Sequence, residues 1–95
     1  MSIAQEILNQ LRVNIAIYWS WGPSALTDLG KPDGTLGGLQ FNVQGAKFKG
    51  KVRILLMPSD TYSVIGLNRL GNEKWRFDDI YCEDLQSLID RQVET

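Results

Sequence analysis

Between Lys47 and Ile54 the side chains Lys47, Lys49, Lys51 and Arg53 alternate with Phe48, Gly50, Val52 and Ile54, and the run closes in Leu55-Leu56-Met57. A period of two belongs to a β-strand, whose successive side chains point to opposite faces. The segment therefore demands a sheet with one face buried and the other in water. Leu39, Phe41 and Val43 alternate in the same way with Gln40, Asn42 and Gln44. After the turn chemistry of Pro58-Ser59-Asp60, the stretch Thr61 to Arg69 returns as another strand. Gly71-Asn72 then fits a two-residue hairpin turn with Gly first, leading into a short strand at Lys74 to Phe77.

Helical spacing brackets these strands. Ser2-Ile3-Ala4-Gln5 has the form of a capping box, and Ile3, Ile7, Leu8 and Leu11 share one face, which predicts a helix over residues 3–12. Leu85, Leu88, Ile89 and Val93 make the apolar stripe of a C-terminal helix. Asp79, Glu83 and Asp84 lie near its N-terminal end, where the helix dipole favours negative charge. Val13, Ile15, Ile17, Trp19 and Trp21 alternate with Asn14, Ala16, Tyr18 and Ser20 and read as a strand ending at Gly22-Pro23. From Gly22 to Gly38, seven glycines and prolines predict a long loop with room for one helical turn near Ser24 to Leu29. Such loops are uncommon unless they serve a function. At 95 residues, with no repeat or linker, the chain is expected to be one α+β domain. Its expected architecture is an antiparallel sheet of four to five strands, with the N-terminal and C-terminal helices packed on one face.

Composition narrows the chemistry. There is no histidine and a single cysteine, Cys82, which removes the usual proton switch, nearly all zinc geometries and any internal disulfide. No catalytic residue, metal or cofactor is expected, and an enzyme would have to rely on carboxylates with a divalent metal. Without a signal peptide or an apolar run long enough to span a membrane, the chain is expected to be soluble and cytoplasmic. Lys+Arg number 10 and Asp+Glu 11, so bulk charge announces no polyanion partner. The charge is nevertheless segregated. Residues 47–53 carry four cations and no carboxylate, whereas residues 77–95 carry six carboxylates and one arginine.

Three features could carry function. In a strand, Lys47, Lys49, Lys51 and Arg53 would form a row at roughly 6.6 Å spacing, near that of successive phosphates in a single nucleic-acid strand. Tyr18, Trp19, Trp21, Tyr62 and Trp75 would be available for base stacking. The alternative is a solvated face whose lysines discourage edge-to-edge pairing. Trp19 and Trp21 would share a strand face beside the glycine-rich loop, either as part of the core or as a partner-binding edge. Asp78, Asp79, Glu83 and Asp84, with Asp60, form an acidic set better suited to helix capping than to metal binding. Gly34-Thr35-Leu36-Gly37-Gly38 lacks the ending of a phosphate-binding loop, and its glycines are expected to form turns.

The stretch Leu56 to Val64, with Asp60 and Tyr62, resembles a hairpin motif of a group of small uncharacterised proteins from bacteriophages, other mobile elements and their bacterial hosts. Ile7-Leu8-Asn9-Gln10-Leu11 and Ile80-Tyr81 with Leu85 match two further segments of that group. Met57 and Ser63 depart from it, standing where the pattern has Asn and Asp. The resemblance implies a compact intracellular domain from a mobile-element setting and lends no activity. Taken together, the residues favour a non-enzymatic domain that binds a protein partner through the sheet face or the Trp-bearing loop, with Trp19, Trp21 and Tyr62 as aromatic contacts. The alternative is a nucleic-acid-binding module using Lys47, Lys49, Lys51 and Arg53. A homodimer through an exposed strand stays open.

Overall fold

The computed structural model describes residues 3–94. Helix α1 (Ile3–Leu11) and helix α2 (Ile15–Ser20) precede strands β1 (Ser24–Asp28), β2 (Gly37–Gln44), β3 (Lys49–Leu56), β4 (Tyr62–Leu67) and β5 (Glu73–Ile80). A 3-10 turn (Cys82–Asp84) then leads into helix α3 (Leu85–Val93). The strands form one antiparallel sheet in chain order, each pairing with the next. This is the expected α+β class with terminal helices on one face. The N-terminal helix is present, but Ser2 of the proposed capping box lies outside the described residues.

The core forms where the helices meet one face of the sheet. Leu39, Phe41, Val43, Val52, Ile54, Leu56, Tyr62 and Val64 bury against Ala4, Ile7 and Leu11 of α1, Tyr18 and Trp21 at α2, and the whole predicted stripe of α3. Trp21 is fully buried. Its ring stacks near Phe41 with centroids 6.4 Å apart, and its indole N–H donates to Asp90 Oδ1 at 3.1 Å.

Residues 13–21 form a helical turn, not the strand their alternation suggests. The set Asn14, Ala16, Tyr18 and Ser20 is only half polar, so the period of two has no consistently polar face to fix it. The tertiary contacts instead select Tyr18 and Trp21, three residues apart, for burial. Asn14 caps the turn by accepting a hydrogen bond from Ile17 N–H at 3.3 Å. Gly22, with φ of +60°, ends it in the left-handed region. Gln86 of α3 holds the corner by donating to the carbonyls of Leu11 (2.7 Å) and Asn14 (2.9 Å).

The segment read as a loop from Gly22 to Gly38 contains a strand. All five residues of β1 are exposed, so no hydrophobic alternation marks it, and only pairing with β2 makes it a strand. A bulge between Ser24 and Thr27, where Ala25 has φ of +53°, bends this edge. At the other end of the loop Gly37 and Gly38 already belong to β2 rather than to a turn, and a Cβ at Gly37 would meet Ile3 at 2.5 Å. The β4–β5 connection is also longer than the expected two residues. Asn68 N–H donates to the Asn72 carbonyl and Gly71 N–H to the Asn68 carbonyl, with Gly71 at φ of +88°. That arrangement is a turn followed by a left-handed residue.

Candidate functional site

No helix packs on the other face of the sheet, and strand register decides what it presents. Gln44 lies opposite Lys49, Asn42 opposite Lys51 and Gln40 opposite Arg53. Arg53 in turn faces Ile65, which faces Arg76, while Lys51 faces Leu67. Ile65 and Leu67 are each only 6% exposed, and Leu55 is half-buried, so a short apolar strip runs between cationic rows. This face carries Lys49, Lys51, Arg53, Arg69 and Arg76 against Glu73 and Asp78, leaving five cations and nine carboxylates for the rest of the chain.

The four-cation row of the sequence does not survive intact. Lys47 precedes β3 in the turn that docks on the end of α3, where its ammonium donates to the Arg91 carbonyl at 3.2 Å. The N–H groups of Lys47 and Phe48 both donate to the Val93 carbonyl (2.8 and 3.2 Å). Lys47 therefore satisfies the negative end of a helix. Arg53 does lie on the open face, with its Nε and Nη2 donating to Gln40 Oε1 at 3.0 and 2.9 Å. Lys49 and Lys51 remain, and Arg69, which the sequence did not single out, joins them from the β4–β5 loop.

These three cations, with Asn42 and Gln44, line a cavity of about 220 Å³ that, among the described residues, no carboxylate lines. Among the described residues none of the three forms an ion pair, whereas Arg76 is held by Asp78 (3.0 Å) and Glu73 (3.9 Å). Pairing the two period-two runs across the turn at 45–48 would have brought Asn42 and Gln44 to Lys51 and Lys49 on paper. Nothing in the sequence shows where the loop brings Arg69.

The aromatic candidates lie elsewhere. A helix separates the directions of Trp19 and Trp21, so the two do not share a face: Trp21 is core, and Trp19 is 59% exposed on α2. Tyr62 is buried, which raises its phenol pKa, with Cys82, Glu6 and Asp60 adding to the shift. Tyr18 is buried as well, and Trp75 packs on the helical side against Phe48 and Phe77 (centroids 5.4 and 5.9 Å away). None of the five rings proposed for base stacking stands with the cations.

The acidic set is dispersed. Asp78 and Asp79 are not caps: they are the two residues of a bulge that together oppose Ser63, with Asp79 at φ of +58°. The Ser63 hydroxyl donates to Asp78 Oδ1 at 2.7 Å and, with Arg76, holds the Asp78 carboxyl below its ordinary range. Glu83 and Asp84 lie in the 3-10 turn before α3, and Asp84 occupies the N-cap position without a side-chain cap bond. Among the described residues no three carboxylate or thiol groups are placed to share a metal ion, and no helix is long and apolar enough to cross a membrane. Compared with known proteins, the chain matches no family model, no curated protein and no solved structure.

Proposed function

We propose that this domain is a non-enzymatic binding module that docks the acidic surface of a protein partner on its open sheet face. The observation that carries this reading is the charge of that face, where cations exceed carboxylates by three around the half-buried Leu55 and the buried Ile65 and Leu67. Arginine around an apolar centre is the composition of protein interfaces. Charge complementarity selects an acidic partner. The nucleic-acid alternative is less favoured because Lys47 and Arg53 are engaged within the fold and the stacking rings lie away from the cations. The hairpin and helix-start motifs support an accessory role in a bacteriophage or mobile-element setting.

The test is affinity capture from lysate of the source cells, with and without nuclease, using the wild-type domain, an Arg53→Glu/Leu55→Glu variant and a Trp19→Ala control. The expected result is a stoichiometric acidic protein that survives nuclease, is retained by the control and is lost from the double variant. Circular dichroism would verify that each variant is folded. Retention by the double variant, or recovery only of nuclease-sensitive material, overturns the proposal.

A further inference from the structure

We propose that the cavity at the turn end of the β2–β3 hairpin is a binding site for a doubly charged phosphoryl group carried by a small molecule. Lys49, Lys51 and Arg69 line one space together with Asn42, Val43, Gln44 and Gly50. Other cations of this region have partners within the fold: Lys47 bonds a helix-end carbonyl, Arg53 the Gln40 amide oxygen, and Arg76 two carboxylates. Three cationic residues lining one cavity without an ion pair among the described residues repel one another, and an anion entering the cavity relieves that repulsion. A guanidinium fork, two ammonium groups and two amides offer more donors than the two oxygens of one carboxylate can accept. A phosphoryl group supplies three terminal oxygens and up to two negative charges, and arginine matches it in bidentate fashion.

Size and surroundings narrow the ligand. At about 30 Å³ per water in the liquid, a space of 220 Å³ exceeds a single phosphate and accommodates a diphosphate or a phosphorylated sugar. A nucleic-acid strand would need cations in a continuing row and rings for its bases. The row is interrupted on both sides, and no aromatic side chain lines the cavity. This site does not depend on a protein partner, because its cations lie at one end of the face and its ligand needs no apolar strip.

The experiment is a titration of the full chain, followed by amide NMR at low and moderate salt, with inorganic pyrophosphate, a sugar phosphate, citrate and a single-stranded oligonucleotide as separate probes. The expected result is saturable shifts confined to the amides of residues 42–44, 49–51 and 69 with either phosphate probe. Binding should weaken at least tenfold in Lys49→Gln/Arg69→Gln and stay unchanged in Lys31→Gln. If only the sugar phosphate saturates, the ligand is an organic phosphate; if both do, the phosphoryl group alone is recognised. Citrate binding as well as pyrophosphate overturns the phosphoryl assignment in favour of carboxylates. Tighter oligonucleotide binding with shifts spreading to Lys47 overturns it in favour of nucleic acid. Equal binding by the double variant overturns the site altogether.

Discussion

Trp21 combines two roles that the sequence shows only as a large aromatic side chain. Its ring fills the core beside Phe41, while its indole N–H reaches the Asp90 carboxylate on α3. Truncation of a fully buried large aromatic costs about 3–5 kcal/mol, and loss of one hydrogen bond to a charged group about 1.5–3 kcal/mol. Urea unfolding should therefore place Trp21→Ala well below Trp21→Phe, with both below wild type. Equal midpoints for Trp21→Phe and wild type would show that the Asp90 bond contributes nothing. Asp78 makes a pH-dependent contribution of the opposite visibility, on the surface. Its folded-state pKa is lowered, first by the Ser63 hydroxyl and then by Arg76. The stabilisation is thus fully present above the ordinary carboxyl value of 3.8 and is lost as pH falls below it through the folded value. Between pH 5 and pH 2, roughly the window in which carboxylates titrate, the stability of wild type should decline more steeply than that of Asp78→Asn. Parallel profiles would remove Asp78 from the acid response.

At the scale of elements, α2 shows how a short helix is made by its ends. Six residues are too few for helix propensity to hold them alone. The turn stands because Asn14 caps its start, Gly22 closes its end and Gln86 ties the preceding carbonyls to α3. Asn14→Ala should cost about 1 kcal/mol, as loss of an exposed N-cap does, while Asn14→Asp should stay near wild type in thermal melts. If Asn14→Ala melts with wild type, packing of Tyr18 and Trp21 alone maintains the turn. The same view explains Lys47. Its place in an alternating run made it look like a member of the strand, yet the run outlasts the ladder by two residues, and the turn at 45–48 is shaped by the end of α3. A Cβ at Gly45 would overlap Val93, so the turn and the helix end fit only with glycine there.

For the whole molecule, the near-neutral total hides an excess of cations on one face of the sheet. Strands β2 and β3 and both terminal helices were legible because each has a wet face and a dry face, so the pattern of side chains states the period; β4, buried on both faces, was legible from the turn at Pro58-Ser59-Asp60 and its strand-forming residues. The core stripe Leu85, Leu88, Ile89 and Val93 is buried as read, and Lys49, Lys51 and Arg53 do share a face. Elsewhere the pattern is silent. Val13 to Trp21 carries only a partial alternation, with Asn14 and Ser20 as its polar residues, and β1 is exposed on every side, so neither carries a pattern that chooses between helix, strand and loop. What the sequence alone determined is the amphipathic elements, whose folding follows from burying one face. What only the tertiary structure decided is the helical turn at α2, the edge strand β1 and the meeting of Arg69 with Lys49 and Lys51. Those depend on capping, ladder pairing and loop closure between residues distant along the chain, and local spacing does not encode such contacts.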